Sequence, residues 1–443
     1  MRKLLGEPVH INSLQFRRFR AFRDETTLQL APLTIVIGQN GGGKSVLTRL
    51  PLLLSGGLDS QAEAPLDLDA GGIRHAVKFE DLIFQRSSQP FVLGAEIEAD
   101  GRYRFATTLR YITEKYVLGI EEFSLFKNDE LLLHLQAADP IDITTAAGTF
   151  LLDGSWVGDT RQAKAHFTGL FPATLIGLEQ VSKNLNSVRA HFETSFSAPS
   201  YIGPFRTELV ALGRIPRQGV SGLGAKGQHA LDILGDNRLR GDGRLTGLVE
   251  EWFETAMAGN RLQLMVNGDN PRLLVHDSLR AIDVDISETG AGFAQVLPIA
   301  VQAYAKQLGL IKSPLIIVEQ PELHLHPAVH GNVMDLLIAT VLQDPDKTRC
   351  ICETHSEQMI TRVRRRIAEG RIPRECVKIA SVWHRSCEDD DPEPIRMISF
   401  DEYGNPDSWP IGVFEEAFDD LVQLREAGQR LVTEGSKKDE PIA

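Results

Sequence analysis

The sequence predicts an α/β fold, a mixed β-sheet flanked by helices and organised around a glycine-rich loop. Three observations predict it. The apolar, β-branched run Leu33-Thr34-Ile35-Val36-Ile37 suits a buried strand and leads directly into Gly38-Gln39-Asn40-Gly41-Gly42-Gly43-Lys44-Ser45. Val46 to Leu54 then follow in helical spacing, so the glycine-rich segment lies between a strand and a helix. Two further buried-strand runs, Leu315 to Val318 and Arg349 to Cys352, are each followed by charged or polar residues.

Ahead of the loop, Ile11 to Phe19 and Thr26 to Leu30 read as strands flanking a basic turn. After it, Phe91 to Ile97, Tyr103 to Tyr111 and Glu121 to Phe126 read as strands punctuated by the turn signals Asp100-Gly101 and Asn128-Asp129. Residues 134 to 200 are less regular, and Tyr201 to Arg244 is a Gly- and Arg-rich stretch expected to contain loops that move or order on binding. Helices are expected over Arg244 to Met257, Phe293 to Leu308, Val329 to Val341 and Gln358 to Glu369, with strands around Leu262 to Val266 and Arg272 to Val275. Glu388 to Pro394 is an acid-and-proline loop, and Gly435 to Ala443 has the composition of a disordered tail. No internal repeat is present, and the absence of a heptad register between residues 60 and 290 excludes a long coiled-coil arm.

The composition is that of an ordinary globular protein, 42% hydrophobic and 24% charged, and 443 residues suggest about two or three domains. Forty-seven Lys and Arg against 60 Asp and Glu give a net charge of −13, which argues against a purely electrostatic DNA clamp. No apolar run approaches the ~18 residues of a membrane helix, and the N-terminus lacks the apolar core of a secretory signal, so a cytoplasmic location without a membrane partner is expected. Four Cys, all in the last quarter, offer no disulfide framework, and Cys350-Ile351-Cys352 is too tightly spaced for a zinc ribbon.

The segment Gly38 to Ser45 fits G-x-x-x-x-G-K-S/T. Glycines let backbone N–H groups wrap phosphates and a helix N-terminus adds a favourable field, while Lys44 would reach the β- and γ-phosphates and the Ser45 hydroxyl would ligate Mg²⁺. Leu315-Ile316-Ile317-Val318-Glu319-Gln320-Pro321-Glu322 is an apolar strand ending in an acid, the pattern of a Walker B segment, whose carboxylate Glu319 would hold the metal. In Glu353-Thr354-His355-Ser356-Glu357, His355 stands after a strand, where it can report a γ-phosphate. Gly290-Ala291-Gly292-Phe293-Ala294-Gln295 opens a helix and makes a second anion site, which one protein needs if the γ-phosphate is sandwiched between two copies.

In this order and with a long insertion after the first, these motifs resemble the ABC-type ATPase head shared by SMC, RecF and OLD proteins. The wording is closer still to a bacterial branch of OLD-like AAA-type ATPases that often carry a C-terminal domain of unknown function. Further matches are Phe19-Arg20-Ala21-Phe22, Tyr201-Ile202-Gly203-Pro204-Phe205-Arg206, Gln295-Val296-Leu297-Pro298, Leu323-His324-Leu325-His326-Pro327 and Trp409-Pro410-Ile411-Gly412-Val413-Phe414, so the likeness runs from about residue 10 to 420. It implies a P-loop NTPase fold of the ABC-type head with an inserted α+β region. The expected domains are 1–110 (N-terminal ATPase lobe), 111–205 (insertion), 206–385 (C-terminal lobe with signature, Walker B and His switch) and 386–443 (extension and tail). By the same resemblance Arg20 lies near the nucleotide, Gly290, Gly292 and Gln295 belong to the signature, and Gln85 is a candidate Q-loop ligand of Mg²⁺. His324 and His326 fall where two heads meet, which is preferred over reading them as a metal cluster.

Two departures stand out. Ala294 occupies the position where the signature normally supplies a Ser, with Ser287 nearby but out of register. Gln320 follows the metal acid where many relatives place the catalytic Glu; Gln orients a water but cannot take its proton. Glu322 is then the candidate base, with Gln320 and His355 beside it, and slow turnover is expected.

The implied activity is hydrolysis of ATP with Mg²⁺ by a nucleotide-gated homodimer or higher homo-oligomer. The implied setting is anti-phage defence or DNA maintenance alongside a separately encoded effector, a nuclease or toxin. An ATP-holding scaffold with little turnover and an ATP-regulated nuclease component are the alternatives. The stretch after His355 is short for a Toprim nuclease domain, and the Asp389-Asp390-Asp391 run lacks its companion Glu motif. Arg17-Arg18-Phe19-Arg20 and Arg362 to Arg366 leave a nucleic-acid partner open.

Overall fold

The computed structural model describes residues 9–138, 147–207, 215, 222–257, 259–278, 280–382 and 394–409. Strands β1 (His10–Arg17), β2 (Thr26–Gln29) and β3 (Leu33–Gly38) precede helix α1 (Lys44–Leu58). Next come β4 (Phe91–Glu98), β5 (Arg102–Ile112), β6 (Val117–Lys127), β7 (Glu130–Ala137), β8 (Ala147–Asp153), β9 (Arg161–Thr168), β10 (Phe171–Leu175), α2 (Glu179–Ser195) and β11 (Ser200–Ile202). The second half holds α3 (Ala230–Arg240), α4 (Arg244–Ala256), β12 (Arg261–Asn267), β13 (Asn270–Asp277), β14 (Ile282–Asp285) and α5 (Ala291–Gln307). It closes with β15 (Leu315–Glu319), α6 (Pro327–Leu342), β16 (Arg349–Glu353), α7 (Glu357–Ala368), β17 (Val377–Val382) and β18 (Ile395–Ile398).

These strands form three sheets. A nine-stranded sheet runs β10-β9-β8-β7-β6-β5-β4-β1-β2, and a six-stranded sheet runs β11-β15-β16-β3-β17-β18. A small sheet, β12-β13-β14, completes the set. The six-stranded sheet is parallel except for its edge strand β18. Its strands alternate between two cores, as a period of two requires. Leu33, Ile35 and Ile37 of β3 face the core shared with α3 to α7, whereas Val36 faces the core shared with α1 and the nine-stranded sheet. Helix α1 thus lies between the two large sheets. The chain has an α/β architecture, a largely parallel sheet flanked by helices and joined to a broad antiparallel sheet.

The hairpin signals mark real turns. Asn128 and Asp129 adopt φ of 50° and 68° between β6 and β7, the left-handed pair that a two-residue type I′ turn demands. The boundary expected at residue 110 falls inside β5, and the described part of 111–205 contributes β6 to β10 to the sheet that β1 and β4 begin, because the free edge of β5 pairs with β6. The stretch read as irregular, 134 to 200, contains three strands beyond β7, together with α2 and the start of β11. Their signal is weak because only alternate residues of a polar sequence turn inward, as with Ala165 and Phe167 of β9. Within the Gly- and Arg-rich stretch, β11 and α3 are ordered elements. Residues 394–409 of the expected C-terminal extension join the core sheet through β18. The Asp389-Asp390-Asp391 run and residues 410–443 lie outside the described residues. No described helix is long and apolar enough to cross a membrane.

Candidate functional site

The phosphate loop joins β3 to α1, and its glycines are there for space. Gly38 has φ of 140°, and a Cβ there would stand 2.1 Å from the carbonyl oxygen of Val382 on β17. Gly43, with φ of 103°, leaves room for the Phe22 ring, which a Cβ would meet at 3.0 Å. The Phe19-Arg20-Ala21-Phe22 segment therefore packs on the loop. Helix α1 begins with no side-chain cap and no acid in its first turn, so its first N–H groups are open to an anion.

Lys44 is 5% exposed and folds back over the loop, donating to the carbonyls of Gly38 (2.9 Å) and Gln39 (2.8 Å). Burial lowers its pKa, against the pull of the nearby Glu353 charge. The Ser45 hydroxyl donates to Glu353 Oε2 at 3.1 Å. Glu353 and Glu319 are register partners at the ends of adjacent parallel strands, 2% and 1% exposed. Their surroundings differ. Glu319 accepts from Arg49 at 3.0 and 2.9 Å and from the Thr48 hydroxyl at 2.5 Å. Glu353 has no such counter-ion among the described residues. Burial foremost, then the Glu319 charge, holds its pKa above 4.5, opposed by the Ser45 hydrogen bond and the Lys44 charge.

The turns after β15 and β16 interlock. Gln320, at φ of 45°, donates its N–H to the Glu353 carbonyl at 2.8 Å, and Arg206 donates to the carbonyls of Glu319 (2.8 Å) and Gln320 (2.9 Å). Arg206 is 6% exposed, and burial pushes its pKa down to about 10, so it stays charged at neutral pH. Glu322 accepts from the His355 N–H at 2.6 Å, while its Oε2 is buried with no partner among the described residues. Desolvation and then the Lys44 charge hold His355 below its ordinary 6.5, with Glu322 opposing. An open cleft of about 440 Å³ is lined by Asn40, Gln320, Glu322, His324, His330 and His355, among others.

The structure brings the loop, Gln320, Glu322 and His355 to one end of the parallel sheet. Arg20 joins from the other side: with Ser45, Arg49 and His75 it lines a 230 Å³ pocket, and its guanidinium donates to the His75 carbonyl. Gln85 is exposed at φ of 54° in a single 3₁₀ turn and does not line that pocket. Gly290 caps α5 and Gly292 lies in its first turn, where a Cβ would approach the His324 carbonyl to 3.0 Å. The Oε1 of Gln295 is buried without a partner among the described residues. Ser287 donates both its hydroxyl and its N–H to Asp285. His326 caps α6, and His330 bonds Ser356 and the Leu325 carbonyl. No group of three potential metal-ligating His, Cys, Asp or Glu gathers among the described residues. The Arg-rich helix α7 spends its charge internally: Arg362 and Arg366 pair with Asp335, and Arg365 pairs with Glu369.

Sequence reasoning missed Glu353, Arg49 and Arg206 as site residues. Glu353 had a legible signal, since Arg349-Cys350-Ile351-Cys352-Glu353 repeats the pattern of an apolar strand ending in an acid. Arg49 follows Ser45 by one helical turn. The donor set around Ser45, a hydroxyl and buried carboxylates, consists of hard oxygens that fit Mg²⁺. A cavity of about 920 Å³ lies at the far end of α1 and contains none of these residues.

No protein-family model matches the chain, and no curated protein matches it. Among solved structures it is similar to an Smc head bound to the C-terminal winged-helix domain of ScpA, at 14% identity, over 88% of this chain and 98% of that one, with a TM-score of 0.45. It is also similar to the Pyrococcus furiosus Smc head with an extended coiled coil bound to the C-terminal domain of ScpA (13% identity, 94% and 100% coverage, TM-score 0.43). A third is the SMC head domain from Thermotoga maritima (10%, 84% and 94%, TM-score 0.38).

Proposed function

We propose that this chain is an ATP-binding and slowly ATP-hydrolysing head that works as a nucleotide-gated dimeric switch. The observation that carries the reading is the uncapped α1 N-terminus, with Lys44 folded over the loop and Ser45 on a buried carboxylate, at the same sheet end as Glu322 and His355. Ser45 and a buried carboxylate would hold Mg²⁺, which neutralises charge on the β- and γ-phosphates.

Within the chain, Lys44 exchanges two loop carbonyls for phosphate oxygens. The side chain of Gln320 orients the attacking water, and the free oxygen of Glu322 takes its proton. Neutral His355 donates to the γ-phosphate and couples its presence to the turn that Glu322 holds. The uncapped start of α5, from Gly290 to Gln295, offers an anion site to a second copy of the head. With Ala294 in place of a hydroxyl and Gln320 in place of an acid, turnover is slow, as suits a switch. The resemblance to OLD-like ATPases extends this reading to anti-phage defence or DNA maintenance with a separately encoded effector.

The test is to measure ATP binding, phosphate release and DNA cleavage on one preparation, with the mass in solution followed with and without ATP. Binding with slow phosphate release, ATP-dependent dimers and no cleavage support the proposal. Metal-dependent DNA cleavage by the purified chain would instead favour a nuclease, and binding without any release a scaffold.

A further inference from the structure

The strand order bears on which carboxylate meets the metal. Because β16 lies between β3 and β15, Glu353 is one strand from the phosphate loop and Glu319 is two, a difference of roughly 4.8 Å. Both Glu319 oxygens are already engaged, one by Thr48 and Arg49 Nε and the other by the second arm of the Arg49 guanidinium. Freeing that carboxylate means breaking a two-point ion pair at a group 1% exposed. Glu353 carries no such pairing among the described residues: the Ser45 hydroxyl hydrogen-bonds its carboxylate, and the Gln320 N–H holds its backbone carbonyl.

The spacing is also informative. Ser45 Oγ and Glu353 Oε2 stand 3.1 Å apart. Adjacent ligands of an octahedral Mg²⁺, each at about 2.0–2.1 Å, are separated by about 3 Å. The two oxygens thus already have the separation of neighbouring ligands, and a metal would take the place of their hydrogen bond, the serine ligating as a neutral hydroxyl with its proton turned away.

We propose that Glu353, rather than Glu319, is the carboxylate that binds the Mg²⁺ of the nucleotide site together with Ser45, and that Glu319 is the anchor that locks Arg49 and α1 to the sheet. This rests on the nucleotide-binding reading above and allocates its metal to a residue. Glu319 then fixes where the P-loop helix sits, and the Gln320 N–H joins Glu353 to the water-positioning turn.

The test titrates the whole chain with a fluorescent ATP analogue in Mg²⁺ and in EDTA, with thermal unfolding followed for each variant. The wild type binds more tightly in Mg²⁺. Glu353→Gln keeps the metal-free affinity and loses about tenfold or more of the Mg²⁺ gain. Glu319→Gln retains that gain and unfolds at a lower temperature. Glu353→Cys reads ligation directly, because a thiolate prefers a soft ion. In that variant Cd²⁺ restores the gain and Mg²⁺ does not, while the wild type, with the same native cysteines, gives the background. Glu353→Gln with an undiminished gain, or folded Glu353→Cys indifferent to Cd²⁺, overturns the proposal. Cd²⁺ rescue of Glu319→Cys moves the ligand to Glu319. A wild-type chain that binds no nucleotide in either buffer removes the nucleotide reading itself, and this assignment with it.

Discussion

Glu322 accepts a 2.6 Å hydrogen bond from the backbone N–H of His355, tying the turn after β15 to the turn after β16. One carboxylate oxygen is spent on that tie and the other is buried without a partner among the described residues, which leaves it free to take a proton. Glu322→Gln preserves an acceptor for the His355 N–H and removes the base. Phosphate release should fall by ~10²–10⁴-fold, with ATP binding and melting temperature close to wild type. Gln320→Ala should slow release less. Release at the wild-type rate would reduce Glu322 to a clamp on the His355 turn.

Lys44→Ala should abolish ATP binding without unfolding the protein. The ammonium bridges the Gly38 and Gln39 carbonyls, which lie on an open loop that water can solvate once it is gone. Fluorescent nucleotide titration with circular dichroism checks both halves. Unchanged affinity in a folded variant refutes the phosphate-loop assignment.

Arg206→Met keeps the bulk of the side chain and removes the donors that hold the Glu319 and Gln320 carbonyls. Orphaning the buried Glu319 carbonyl costs about 1–3 kcal/mol, and Gln320 loses what holds it at φ of 45°. Urea unfolding should show a loss in that range, and phosphate release should fall more than ATP affinity does. Equal losses in both would mean that Arg206 supports the fold alone.

His10, His75 and His355 are each held below the ordinary 6.5, in every case by burial first. A histidine kept neutral in the folded chain but free to protonate when unfolded makes the unfolded state bind more protons below 6.5. Stability is therefore full above 6.5 and declines as pH falls from there toward the folded values. Glu353, held above 4.5, works in the opposite direction but only nearer its own range. Melting temperature should fall as pH drops from about 7 to about 5.5. His75→Gln, whose amide can still donate to the Ala70 carbonyl that His75 contacts at 3.0 Å, should flatten the decline. A pH-independent melting temperature contradicts the assignment.

Local pattern was enough for the strand–loop–helix unit from Leu33 to Leu54, for β15 as an apolar run ending in an acid, for β16 as an apolar run, and for the turn at Asn128-Asp129. In each, the deciding interactions lie within a few residues: backbone space at glycines, alternation on a strand, helical spacing. The position of His355 after a strand was legible for the same reason.

What stayed hidden were relationships between distant segments. Ser45 and Glu353 are 308 positions apart, and Thr48 and Glu319 are 271. Which acid meets the serine depends on β16 entering the sheet between β3 and β15, a choice made by strand pairing and by packing on both faces. The basic run on α7 reads as an exposed charge cluster until α6 brings Asp335 against it. The sequence by itself determined that a phosphate loop, two strand-end acids and a histidine are present, because local sterics and periodicity encode them. Only the tertiary structure decided which acid is locked by Arg49 and which lies beside Ser45, because the order of strands in a sheet is set by long-range burial that no local window contains.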